Sequence, residues 1–127
     1  MNIYCGTDII EVERVKNAIL STPNFKEKIF TQNEIAYAEL KGDITKYQHY
    51  AGRFAAKEAI YKSISNVFPH ISLNEIEIIN DVIKLNRPVV YINNKEYNLS
   101  NRKAIIDVSI SHIKDYACAN ATALFLQ

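Results

Sequence analysis

The sequence carries almost no net charge, since 15 Lys and Arg stand against 14 Asp and Glu and leave a formal +1. General nucleic-acid binders are usually clearly basic, so no nucleic-acid partner is expected. There is no long acidic or basic run. Cysteine is scarce. Cys5 and Cys118 are too few for a disulfide scaffold or a zinc site. Both lie in apolar, strand-like contexts, which predicts buried free thiols. No apolar run approaches the roughly 18 residues of a membrane span. The opening stretch, Met1 to Asp8, lacks the basic segment and apolar core of a signal peptide. The expectation is a cytoplasmic protein with no membrane partner. Three chemistries also drop out. There is no Gly-x-x-x-x-Gly-Lys-Ser/Thr phosphate loop, no Gly-x-Ser-x-Gly elbow and no His/Cys cluster at zinc spacing. Repeats, linkers and low-complexity tracts are missing too.

What is present fits one folded unit, residues 1–127, with 48% hydrophobic and 23% charged residues. Residues 2–7 read as a strand that stops at Asp8, where the aspartate is equally readable as a helix N-cap. Ile10 to Leu20 has helical spacing and ends at Ser21-Thr22-Pro23. A short helix is expected over Asn24 to Phe30. Thr31 and Glu34 form a capping box that starts another helix, running to about Leu40. Gly42-Asp43 breaks it, and a long helix is expected from Thr45 to Ser65. After Pro69 the period becomes strand-like. Ile76 to Ile78, Pro88 to Ile92, Ala104 to Ser111 and Tyr116 to Leu126 read as strands. Asn80-Asp81 reads as a turn, and Asn93 to Asn101 as a hairpin or loop. Strand, then helices, then antiparallel strands gives an α+β class, with one long helix packed on the sheet.

The long helix holds the densest chemistry. At ~100° per residue, Ala56, Ile60, Ser63 and Val67 share one stripe. Glu58 and Lys62 fall on the opposite side, one turn apart, beside Phe54 and Ala55. Taken alone, that pair reads as a surface ion pair. Three groups of polar residues stand out: Asp8 after the first strand; Arg53, Lys57, Glu58 and Lys62 on the helix; and Ser109, Ser111 and His112 at a strand end. Two carboxylates are the usual protein share of a Mg²⁺ site, which phosphates and water complete. A neighbouring lysine can neutralise a phosphate, and a histidine can donate to one or move a proton. That is equipment for phosphoryl-type transfer.

Residues 5–14 (Cys-Gly-Thr-Asp-Ile-Ile-Glu-Val-Glu-Arg), 51–62 (Ala-Gly-Arg-Phe-Ala-Ala-Lys-Glu-Ala-Ile-Tyr-Lys) and 108–112 (Val-Ser-Ile-Ser-His) resemble the holo-[acyl-carrier-protein] synthase family, the small phosphopantetheinyl transferases of fatty-acid biosynthesis. The resemblance covers essentially the whole chain. It implies the 4′-phosphopantetheinyl transferase fold. It also implies transfer of 4′-phosphopantetheine from coenzyme A to a serine of apo acyl carrier protein, with release of 3′,5′-ADP. A non-catalytic coenzyme A or carrier-binding module of the same fold is the alternative. By resemblance Asp8 and Glu58 hold Mg²⁺, and Asp8, Glu58, Lys62 and His112 are catalytic. Arg53, Lys62, Ser65, Ser111 and His112 meet coenzyme A. Arg14, Val15, Phe25, Lys28 and Phe54 dock the carrier. The family also implies a homotrimer with active sites between subunits. Ser65 stands where the family commonly has Gly. Asn86-Arg87-Pro88 replaces a Gly-Lys-Pro turn, with Asn86 able to take the left-handed conformation.

Overall fold

The computed structural model describes residues 1–83, 85–93, 95, 96 and 104–126. Most of the loop expected over Asn93 to Asn101 lies outside the described residues. In chain order the elements are β1 (Asn2–Glu11), α1 (Val12–Ser21), α2 (Phe25–Ile29), α3 (Gln32–Glu39), α4 (Asp43–Ile64), a 3₁₀ turn (Leu73–Glu75), β2 (Ile76–Asp81), β3 (Arg87–Ile92), β4 (Lys95–Glu96), β5 (Ala104–His112) and β6 (Tyr116–Phe125). They build two antiparallel sheets, β1-β6-β5 and β2-β3-β4, with α4 against the first. The α+β expectation therefore holds. Among the described residues no helix is long and apolar enough to cross a membrane.

The first strand is longer than its sequence implied. Pairing with β6 continues past Asp8↔Ala119 to Glu11↔Tyr116. Asp8 is therefore a mid-strand residue and caps no helix. The chain turns only at Val12, whose N–H donates to Asp115 O at 2.9 Å. Thr31 does form the expected capping box with Glu34. Asn80 and Asp81, expected in a turn, are the last two residues of β2. The tight connection follows them, with Leu85 and Asn86 at positive φ (57° and 61°).

Small residues set the distance between α4 and the sheet. On β6 the inward positions are Ala117, Ala119, Ala121 and Ala123, all buried. The helix answers with Ala51, Ala55, Ala56 and Ala59, also buried. Ala55 thus belongs to the core, not to the polar side. Val67, placed by its spacing on the apolar stripe, lies beyond the end of the helix and is exposed. The closest approach is at Gly6, where a Cβ atom would sit 1.9 Å from Ala59 O. No side chain fits there without moving backbone.

On its other side α4 is held by an ion pair. Lys57 Nζ lies 2.7 Å from Glu34 Oε1, with both side chains fully enclosed. Lys57 also donates to Leu73 O at 3.0 Å and to Ile76 O. Glu34 accepts the Ile78 N–H at 2.8 Å and the Thr31 N–H at 2.9 Å. All three ammonium protons and both carboxylate oxygens are used, as a buried pair requires. The pair joins α3, α4 and β2.

Cys5 and Cys118, expected to be buried, are exposed. They pair in register with Thr122 and Ile9 and so point to the sheet face away from α4. The apolar strand pattern hid which face each one takes.

Gly6→Ala should lower unfolding free energy by at least ~2 kcal/mol, because overpacking here meets backbone. Gly42→Ala, where an added Cβ meets nothing within 4 Å, should cost less than about 1 kcal/mol. Urea unfolding followed by circular dichroism measures both. Equal effects would contradict the close-contact account.

Candidate active site

The register of the first sheet decides which polar residues meet. Asp8, Ala119 and Ile110 form one row across β1, β6 and β5. Side chains in a row share a face, and Ala119 is buried on the α4 side. Asp8 therefore points toward α4, where Glu58 and Lys62 come down to meet it. Lys62 Nζ donates to Thr7 O at 2.8 Å and lies 3.4 Å from Asp8 Oδ1. Glu58 is half-buried. Burial raises its carboxyl pKa above the usual range. Asp8 raises it further, and Lys62 opposes both. Two carboxylates thus face one another, with one ammonium shared between them.

His112 lies elsewhere on the same chain. It shares a row with Ala117 and, through β6, with Ile10. It is therefore two strands away from Asp8, about 10 Å across the sheet, and further toward the strand end. Arg53 is 6% exposed, and its guanidinium donates to Asn80 Oδ1 at 2.8 Å. Burial is the largest influence on it, and it lowers the pKa. Ser65 caps α4 in right-handed helical geometry (φ −61°), so serine needs no glycine-like backbone there. Ser109 and Ser111 pair with Asn120 and Cys118 on the outer face. Within one copy Ser111 and His112 therefore do not face the same ligand.

The expected docking residues divide. Arg14 and Lys28 are exposed. Phe25 and Phe54 are half-buried and stack with centroids 6.3 Å apart. Val15 is 2% exposed and belongs to the core with Val12, Phe30 and Tyr50. It supports the surface from beneath and cannot be a contact residue on it. Leu20, an apolar residue of α1, is exposed. The Thr7 carbonyl that holds Lys62 was missed, because backbone acceptors carry no sequence signal.

Among the described residues no group of three or more His, Cys, Asp or Glu is arranged to hold a metal. The pair Asp8–Glu58 is what the chain offers. It suits a hard divalent cation that takes one or two carboxylates and fills its remaining positions with water and phosphate. The like-charge repulsion that raises Glu58 is what such a cation relieves.

A carboxyl whose proton affinity is raised in the folded state adds stability at low pH and loses it as pH climbs through the raised value. Ionised Glu58 therefore costs stability near neutral pH without a cation. Metal-free Glu58→Gln should melt at a higher temperature than the parent near pH 7.5, and the gap should close below about pH 4. A lower melting temperature near pH 7.5 would contradict the repulsion.

The chain matches the sequence profile of the 4′-phosphopantetheinyl transferase superfamily over residues 4–121. It is 47% identical over 122 residues to a holo-[acyl-carrier-protein] synthase of Clostridium beijerinckii, covering 95% of this chain and 96% of that protein. It superposes on the crystal structure of a Bacillus anthracis holo-(acyl-carrier-protein) synthase in complex with CoA (3′,5′-ADP), with TM-score 0.75, 30% identity and 94% coverage of each chain. A Plasmodium yoelii holo-ACP-synthase structure matches with TM-score 0.73, 32% identity and 97% coverage of each chain.

Proposed function

The chain belongs to the 4′-phosphopantetheinyl transferase superfamily, and we propose that it is a holo-[acyl-carrier-protein] synthase of fatty-acid biosynthesis. In this reading a single domain, residues 1–127, moves 4′-phosphopantetheine from coenzyme A to a serine hydroxyl of apo acyl carrier protein. The observation that carries it is the meeting of Asp8, Glu58 and Lys62 at the edge of an apolar helix–sheet contact. The near full-length likeness to proteins named for this activity supports it.

Phosphoryl transfer asks a protein mainly for positioning and charge balance. The serine oxygen bonds to the phosphorus that bears pantetheine. The bond from that phosphorus to the bridging oxygen breaks, and 3′,5′-ADP departs with the electron pair. A carboxylate of the Asp8–Glu58 pair takes the hydroxyl proton. Lys62 Nζ, half-exposed, reaches from Thr7 O to the diphosphate and balances its charge. Asp8 and Glu58 would hold Mg²⁺, which when bound supplies further neutralisation of the diphosphate.

His112 and Arg53 then belong to a second half-site that meets coenzyme A from a neighbouring copy, as in a homotrimer with shared sites. Two observations support this. His112 is distant from the carboxylates of its own chain. The outer face of β1-β6-β5 leaves Ile9 68% and Ile3 64% exposed, beside both cysteines, an apolar area that suits coverage by another copy. The carrier docks on Arg14, Lys28, Phe25 and Phe54, and charge steers the encounter.

An intact-mass assay tests the reaction. Protein, coenzyme A, Mg²⁺ and an apo acyl carrier protein should add one phosphopantetheine to the carrier, and EDTA should abolish the gain. No gain with several carriers and folded protein would leave a binding module of the same fold.

A further inference from the structure

Among the described residues, His49 carries a buried polar side-chain atom whose placement the reaction does not yet explain. It lies on α4, one turn before Arg53. Its Nε2 is enclosed and has no hydrogen-bond partner among the described residues. Leaving such an atom unmatched costs free energy, so a neighbouring donor that closes on it when ligand binds is the physical expectation.

The surroundings say what that partner is. The His49 ring lies against Tyr37, with centroids 4.8 Å apart. Lys41 sits 4.6 Å above the same tyrosine. The Tyr37 hydroxyl accepts from Asn80, which in turn accepts from Arg53. Beyond Arg53 lies the Glu34–Lys57 pair, which is mutually satisfied. His112 approaches from β5. Its position follows from the packing, since Gly52 of α4 rests on Ile110 of β5, where a Cβ would lie 3.1 Å from Ile110 Cγ2. One turn back along the helix is His49, and two residues on along the strand is His112. Burial, Arg53, Lys41 and His112 together push the His49 pKa down to about 3. His49 is therefore a neutral imidazole at working pH, with a lone pair available among cationic donors.

We propose that His49 is a positioning residue for the phosphate-facing half of the site. Its Nε2 accepts one ring N–H of His112 and thereby directs the opposite N–H of that ring to an anionic oxygen of coenzyme A. The inference rests on the transferase reading above. It adds a residue that acts through His112 rather than on substrate. A hydrogen bond on one ring nitrogen fixes what the other can donate, and a charge-assisted bond to phosphate depends on that orientation.

The test is steady-state kinetics on the whole enzyme with coenzyme A and apo carrier. His49→Phe keeps a ring against Tyr37 and removes the acceptor. It should raise KM for coenzyme A about tenfold, the loss of one charge-assisted hydrogen bond, and leave kcat within about twofold. His49→Gln, which restores an acceptor, should recover most of the affinity. In a His112→Ala background, where the readout is the dissociation constant of coenzyme A by calorimetry, His49→Phe should weaken binding no further. Repeating the comparison with 3′-dephospho-coenzyme A identifies the oxygen. A vanished effect assigns the 3′-phosphate, and a persisting one assigns the diphosphate. Unchanged KM in His49→Phe, or an equal fold-rise in the coenzyme A dissociation constant in the His112→Ala background, overturns the proposal. Should His49→Phe fail to fold, His49→Leu enters the same cycle. An inactive parent enzyme would instead refute the transferase reading itself.

Discussion

The close seating of α4 on the first sheet is the constraint on which the site depends. Alanines on β6 and on the helix, together with Gly6 under Ala59, remove the side-chain bulk that normally separates helix from sheet. The consequence is geometric. The helix comes near enough for Glu58 to feel Asp8 and for Lys62 to reach the Thr7 carbonyl. A bulkier contact layer would hold the same residues too far apart to share a ligand. Stability and function therefore draw on the same few small residues, although those residues have no chemistry of their own.

Adjacent residues on that helix meet opposite electrostatic fates. Lys57 is fully enclosed, and burial lowers its pKa, but Glu34 and two carbonyls satisfy it. Its pairing ties α4 to α3 and to the second sheet. Such a pair contributes little net stability, yet losing one partner typically costs about 3–5 kcal/mol, so it fixes the helix in place. Glu58, the next residue, is left facing a like charge. That imbalance has no structural use within the chain and suits a site that binds a cation and phosphates.

The sequence made the site's members legible because their identities are local. Asp8, Glu58, Lys62 and His112 stood out by residue type within three wider groups of polar residues, the family resemblance singled them out, and the helix caps and strand alternation gave the fold class. Facing was harder to read. Val15 looked equivalent to Arg14 on α1 until α4 covered it. The cysteines looked buried because an apolar strand does not announce which of its faces meets the helix. Asp8 looked like a strand end because only β6, over a hundred residues later, determines how far β1 stays paired. His49 gave no signal in the sequence, since its importance arises from the crossing of α4 over β5.

The arrangement divides the chemistry of one chain between two places. Asp8, Glu58 and Lys62 gather at one, while His112 lies two strands away from Asp8, about 10 Å across the sheet, with His49 and Arg53 of α4 within its electrostatic neighbourhood. The account joins them across neighbouring copies. The most direct measurement mixes two inactive variants, Asp8→Asn and His112→Ala, by refolding them together in equal amounts and assaying carrier modification. A ring of copies with shared sites predicts recovery of up to about a quarter of parental activity, since one interface in four then pairs an intact carboxylate set with an intact histidine. A mixture that forms mixed oligomers and stays as inactive as either variant alone would show that each site lies within a single chain.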